Sequence, residues 1–343
     1  MITIDGSTGE GGGQILRSSL ALSAITGKSV HIHHIRAGRT KPGLQNQHLK
    51  AIQATAAISQ AQVEGAEMSS QEIEFIPGSL SAGRYHFDIG TAGAVTLVLQ
   101  TIFLPLSLAE GSSSVTLRGG THVPWSPSYH YLAQHWLTYL SQMGCKATIK
   151  LVKAGFYPEG GGSMLVEIHP AANLKPLILD KRGTLLRITG ISAIANLDMD
   201  IAVRQKHQAL RRLQPACRDT KIKTQTVPAD HKGTFVFLQA FNEHCIFGAC
   251  SVGAKGKRAE LVADEAAEKI ETCLRTPATV DENLADQLML PMALANEASQ
   301  MITSKITPHL LTNAWVIQEF LSTKIQIEGE SGEPGKVIIT PAC

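Results

Sequence analysis

The chain has 343 residues, 43% hydrophobic and 17% charged, the proportions of an ordinary globular protein about two domains long. Its formal net charge of +2 excludes a polycation, so any nucleic-acid contact must be a local patch. Cys145, Cys217, Cys245, Cys250, Cys273 and Cys343 form no CxxC pair, and the longest apolar stretch, 94–109, is broken by Gln100 and Pro105; a zinc ribbon, a disulfide framework and a membrane span are all disfavoured. No basic segment followed by an apolar run opens the chain, so the default expectation is a reducing, cytoplasmic setting.

In chain order, a short strand over 1–5 leads into Thr8-Gly-Glu-Gly-Gly-Gly-Gln14 and then a helix. The glycines let a backbone approach a ligand closely, Glu10 can hold a divalent cation, and Gln14 can donate hydrogen bonds. This is not a P-loop, since no lysine follows to meet a γ-phosphate. A tight strand–helix turn is the alternative reading. His31, His33 and His34 fall on the next strand. No acidic or cysteine partner has metal-ligand spacing in the sequence, so exposed strand residues are the expectation there.

Arg36-Ala-Gly-Arg-Thr-Lys-Pro-Gly-Leu-Gln-Asn-Gln-His-Leu-Lys50 is the densest polar cluster. With Arg17 and Lys28 it makes a basic patch that faces only Asp5 and Glu10. Arginine forks suit phosphate, and Gln47 and His48 add neutral donors. A solvated basic surface is the plainer reading.

The chain repeats itself. Segments 14–23, 100–109 and 286–295 each read as an apolar helix with one polar residue near its start: Gln14, Gln100 and Asp286. Pro105 and Pro291 fall at the same place, where a helix kinks or ends. After the first two, Arg36 aligns with Arg118, Pro42 with Pro124 and His48 with His130. The copies start about 85 and about 185 residues apart, so roughly 100 extra residues separate the last two, enough for a small domain. The fold class expected is α/β (α+β). Three repeated units form a large domain over 1–181 and 278–343, and a small domain over 182–277 is inserted between the second and third units. A second glycine run, 155–162, reads as a place where a strand passes close to another segment.

The last helix, 307–320, opens with Thr307 as N-cap and Pro308 at the first helical position. Leu310, Ala314, Ile317 and Leu321 make one apolar stripe, and His309 lies off it in the first turn. The positive end of a helix keeps an imidazole neutral near pH 7, and its free N–H groups can hold a phosphate. A nucleophilic histidine and a half-exposed capping histidine both fit this position.

Taken together, the strings Gly9-Glu-Gly-Gly-Gly-Gln-Ile-Leu-Arg17, Ile35-Arg-Ala-Gly-Arg39, Lys41-Pro-Gly-Leu44, Gln47-His-Leu49, Leu97-Val-Leu-Gln-Thr101, Gly155-Phe-Tyr-Pro158, Leu284-Ala-Asp-Gln-Leu288 and His309-Leu-Leu-Thr-Asn313 resemble the RNA 3′-terminal phosphate cyclase family. The resemblance covers the repeats well and the insert weakly. It implies an ATP-dependent ligase of RNA processing and repair, one that turns an RNA 3′-phosphate into a 2′,3′-cyclic phosphate through an adenylated histidine and an RNA-adenylate. The substrates implied are ATP and an RNA with a 3′-phosphate end, with a divalent metal, Mg²⁺ or Mn²⁺.

By position, the resemblance makes His309 the nucleophile and Glu10 a metal-site residue. Gln100, Asn283, Leu284, Ala285, Asp286 and Gln287 become ATP contacts. Gln14, Arg17, Arg36, Arg39, Gln47 and His48 become binders of phosphate or of the RNA end. Asn283 stands where relatives often carry a tyrosine able to stack on adenine, so another side chain would have to stack. Ala154 replaces a usual basic residue before Gly155. Two alternatives stand beside this reading: a non-catalytic cyclase-like ribosome-assembly factor, which would lack the histidine, and a transferase resembling the enolpyruvyl transferases, which would not need it.

Overall fold

The computed structural model describes residues 1–341; Cys343 lies outside them. The first unit runs β1 (Ile2–Asp5), α1 (Gly13–Thr26), β2 (Val30–His33), α2 (Asn46–Ser59), β3 (Gln62–Glu64) and β4 (Ile73–Ile76). The second runs β5 (Arg84–Asp88), α3 (Val95–Ser107), β6 (Ser113–Gly119), a helix in pieces, β7 (Lys146–Lys153) and β8 (Gly162–His169). Those pieces are α4 (Tyr129–Tyr131), a π-helical turn Leu132–Trp136 and α5 (Leu137–Gln142).

The third unit begins with β9 (Ile178–Leu179). A fourth sheet then intervenes, from β10 (Leu185–Ala195) through α6 (Met199–Leu213), β11 (Thr220–Thr226), β12 (Gly233–Asn242) and β13 (Ile246–Val252) to α7 (Ala259–Arg275). The unit resumes with α8 (Glu282–Ala293), β14 (Ser299–Thr303), α9 (Pro308–Phe320), β15 (Lys324–Glu328) and β16 (Gly335–Thr340).

The three repeated sheets share one plan. Their orders are β1-β2-β4-β3, β5-β6-β8-β7 and β9-β14-β16-β15, with the first pair parallel and the others antiparallel in each. The parallel pair needs a helical crossover, which α1, α3 and α8 supply. The extra residues therefore enter inside the third unit, between β9 and α8. The expected bounds, 182–277, begin after β9; what the sequence pattern misses is that β9 belongs to the third unit, because at two residues it is too short for a periodic signal.

Local chemistry explains the boundaries. Gly27 ends α1 in the left-handed conformation, with φ 69°. Asp281 caps α8, accepting from the backbone N–H groups of Asn283 and Leu284, and Thr307 caps α9. Pro105 and Pro291 both sit in the last turn of their helices, close to where each helix ends, as a residue with no N–H to donate favours. Gly155 and Gly162 lie where a side chain has no room, since a Cβ on Gly155 would sit 2.3 Å from the Gly162 nitrogen.

Two apolar clusters form. One joins the three units through buried residues such as Leu20, Val98, Leu284 and Ile317; the other fills the space between the fourth sheet and α6 and α7. Strand β12 divides between them by its alternation. Val236, Leu238 and Ala240 face the helices, while Phe235 and Phe237 face the second unit. There Phe235 stacks on His122 and packs against His130, and Tyr139 donates to the Ile246 carbonyl. This packing makes the fourth sheet a wall beside the repeats.

Candidate active site

Helices α1, α3, α8 and α9 meet along one seam. Gln14 donates to Asp286 Oδ2 (3.1 Å) and Gln100 to the side-chain Oε1 of Gln287 (2.8 Å). Ser18 donates to Asn313 (2.6 Å), whose amide donates to the Asp286 backbone carbonyl (2.8 Å). The three polar positions matched across the repeats thus converge, as their shared place in the helices suggests. Above the seam opens a cleft of about 780 Å³, within the range of small-molecule sites. Its far wall comes from the loop 123–128 and from residues 249–254, Lys257 and Lys269 after and around β13.

His309 sits at the second position of α9, half exposed on the cleft. Leu310, Ala314 and Ile317 behind it are buried, so the helix spends its apolar face on the core and presents the imidazole outward. Its Nδ1 lies 3.7 Å from Glu10 Oε2. Partial burial, Arg17 and Arg39 together hold its pKa below the ordinary histidine value, which favours the neutral ring.

Glu10 is fixed from two sides. Its carboxylate pairs with Arg39, and its backbone N–H donates to Thr312 Oγ1 (3.2 Å). Gly9, at φ 60°, has no room for a side chain because a Cβ would lie 2.4 Å from the same hydroxyl. The glycine loop and the His309 helix are therefore built against each other.

Arg17 lines the cleft, and burial lowers its pKa to about 10 against the pull of Asp286. It still carries its charge at any ordinary pH. His48 lies behind it. Its Nδ1 accepts from the Gln45 backbone N–H (3.1 Å), which leaves Nε2 carrying the proton toward Gly13 and Arg17. Burial and the charges of Arg17 and Arg36 push the His48 pKa down to about 3, so it stays neutral. Asp286 behaves oppositely: burial pushes it up to about 7. The residue as a whole borders the cleft, but Oδ1 is sealed from solvent and has no partner among the described residues. The ionised carboxyl would share its charge between both oxygens, only one of which has a partner, so burial outweighs the bond from Gln14.

Other expected site residues fall elsewhere. The Leu284 and Ala285 side chains are fully buried and face the core, and the N–H groups of both are already bonded to Asp281. Neither residue lines the cleft. On α8 the face carrying Asn283, Asp286, Gln287 and Leu290 opens there instead, at helical spacing. Arg36 donates to the Lys41 and Gly43 carbonyls, bracing its own loop. The Gln47 side-chain oxygen accepts from the Ala94 N–H (3.4 Å), joining the first two units. Neither lines the cleft.

Three residues on or behind the cleft wall carry no signal as site residues in the sequence pattern. Trp125, at the rim, is 96% exposed with φ 57°, an unusual backbone for a bulky residue. Tyr131 and His135 both bond to Asp281, at 2.7 Å each, and so brace the start of α8 from the second unit. The Pro-flanked string Pro124-Trp-Ser-Pro127 marks the Trp125 turn; the His135 link crosses 146 residues and leaves no local trace.

The sequence pattern of RNA 3′-terminal phosphate cyclases matches residues 8–327. The chain belongs to this family. A curated RNA 3′-terminal phosphate cyclase from Methylococcus capsulatus is 44% identical over 335 residues, covering 95% of this chain and 93% of its own. Those of Archaeoglobus fulgidus and Methanopyrus kandleri are 42% and 40% identical and cover 96% and 99% of this chain, with 98% and 99% of their own. Among solved structures, the enolpyruvyl transferase NikO from Streptomyces tendae covers 99% of this chain and 65% of its own at 10% identity and a TM-score of 0.26. At that score the likeness carries no argument for the transferase alternative. The matched span contains α1, α3, α8 and the His309 helix, which line the cleft.

Proposed function

We propose that this cyclase-family chain converts an RNA 3′-terminal phosphate into a 2′,3′-cyclic phosphate using ATP, with His309 as the nucleophile. The observation that carries this is His309 itself: a neutral, half-exposed imidazole at a helix N-terminus, on the cleft, with a carboxylate beside Nδ1. A carboxylate there favours the proton on Nδ1 and leaves the Nε2 lone pair free.

In the first step Nε2 attacks the α-phosphorus of ATP. A P–N bond forms, the bond to the bridging oxygen breaks, and pyrophosphate leaves. An oxygen of the RNA 3′-phosphate then attacks the same phosphorus, and the P–N bond breaks to return the histidine. The vicinal 2′-hydroxyl attacks the RNA phosphorus, loses its proton, and AMP leaves with the electron pair of the broken P–O bond. A phosphate monoester is a poor electrophile until it carries such a leaving group, and the covalent intermediate divides one hard transfer into two. Arg17 supplies a fixed charge for phosphate oxygens, and the His309 backbone N–H at the start of α9 adds a donor. Gln14, Gln100, Asn283, Asp286 and Gln287 line the space left for the nucleotide.

A divalent metal would neutralise triphosphate charge when bound. Among the described residues no cluster of three metal-ligating groups includes Glu10. One carboxylate suits Mg²⁺ or Mn²⁺, which keep waters and take their other ligands from phosphates. Glu10 is the residue that would hold it. Glu10→Ala is therefore expected to raise the metal concentration needed for half-maximal adenylation severalfold; an unchanged metal titration removes Glu10 from that role.

The reaction itself is tested with a short RNA bearing a labelled 3′-phosphate. With ATP and metal the label is expected to become resistant to phosphatase in a product free of AMP, while an RNA ending in a 2′-deoxynucleotide stops at the adenylate and keeps its AMP. An AMP-free resistant product from both ends, or no resistance with either, overturns cyclisation by the 2′-hydroxyl.

A further inference from the structure

We infer that Asp5, His33 and His34 form a binding site for a transition-metal ion of the zinc class, on the outer face of the first sheet. Parallel pairing brings them together. Asp5 is the last residue of β1 and the register partner of His33, the last residue of β2. Ile4, Val30 and Ile32 point into the core, so Asp5 and His33 share the opposite face. His34 would ordinarily turn away from His33 by strand alternation. Its backbone is left-handed, with φ 51°, and this returns its ring to the same face. Sequence spacing shows no acidic partner for these histidines because the partner arrives from another strand.

The geometry fits one cation. His33 Nδ1 lies 3.0 Å from His34 Nδ1, which lies 3.3 Å from Asp5 Oδ1. Ligand atoms at ordinary zinc–nitrogen distances stand roughly 3.3 Å apart in a tetrahedron. Hydrogen bonding alone serves the cluster poorly. A single proton on His34 Nδ1 cannot point at both His33 and Asp5, and with the proton on His33 the His34 lone pair faces a carboxylate already bonded to Ser7. A cation at the centre satisfies all three atoms at once. Two imidazoles and one carboxylate select zinc, cobalt or nickel over magnesium and leave one position open. His31, on the same face, pairs with Glu72 instead (2.6 Å).

The site lies at the roots of two functional loops, since the Glu10 loop follows Asp5 and the loop of Arg36 and Arg39 follows His34. It is separate from any ion held by Glu10 and does not depend on the reaction proposed above. The test uses the full chain without an affinity tag, titrated with Co²⁺ alone. A visible absorption band of tetrahedral strength is expected, lost on adding Zn²⁺. His33→Ala and His34→Asn, the latter tolerant of the left-handed backbone, are each expected to weaken Co²⁺ binding at least about tenfold, the minimum seen for loss of a supporting group around a metal. Glu10→Ala leaves the band intact. No band, or a band that both histidine variants keep, overturns the site.

Discussion

His309→Ala is expected to abolish attachment of AMP to the protein while leaving its fold unchanged. The variant keeps Thr307 as the cap, Pro308 in the first turn and the buried stripe Leu310, Ala314 and Ile317. The lost imidazole is 48% exposed, and its carboxylate neighbour Glu10 stands 3.7 Å away. Truncation of such a side chain changes stability by about 0.5 kcal/mol or less, so the unfolding temperature should stay within a degree or two. The chemical loss is of another order. Removing a nucleophile costs roughly 10⁴-fold or more in turnover.

The measurement is incubation with α-phosphate-labelled ATP and a divalent cation, followed by denaturation. Label that survives on the parent, is released by mild acid and is missing from the variant has the signature of a phosphoramidate. Label on both would move the nucleophile elsewhere. No label on either, with RNA still bound, would favour the non-catalytic assembly-factor reading. The acid limb of the same reaction has a predicted sign. Burial, Arg17 and Arg39 depress the His309 pKa, so labelling should persist below pH 6.5, and Arg39→Gln should move that limb upward.

Much of this arrangement is written in local pattern. Gln14, Gln100 and Asp286 share positions in matched apolar helices, and the seam they form follows from that symmetry. Thr307, Pro308 and the stripe behind them announce both α9 and the outward face of His309. Other parts depend on tertiary pairing, which a single sequence does not display. β9 is a strand only because β14 accepts it. Asp281 looks like an ordinary cap, yet Tyr131 and His135 also bond to it from a distant π-helical turn. Leu284 and Ala285 lie within a matching string but face the core, and the helical period separates them from Asn283, Asp286 and Gln287. Arg36 has the chemistry for phosphate, but its Nη1 braces its own loop and the residue does not line the cleft.

Asp286→Asn is expected to stabilise the protein at alkaline pH and to slow it. Burial pushes the carboxyl from 3.8 up to about 7, with Gln14 and Arg17 offsetting part of the cost. A carboxyl whose pKa is higher folded than unfolded contributes stability that is fully present below about pH 4. That contribution is lost as pH rises through 7. At full ionisation the displacement corresponds to roughly 4 kcal/mol, an upper limit. Asparagine keeps the bond from Gln14 and carries no charge, but it leaves a buried N–H group where Oδ1 has no partner, which returns about 1–3 kcal/mol. Thermal unfolding at pH 4.5 and pH 8 separates these effects, because the second acts at both pH values and the first only at the higher one. The parent should lose more stability than the variant between them; parallel losses would mean that Asp286 ionises as an ordinary carboxyl. If the variant is also stabler at pH 8 yet slower with ATP, the buried charge is kept at the expense of stability because the reaction uses it.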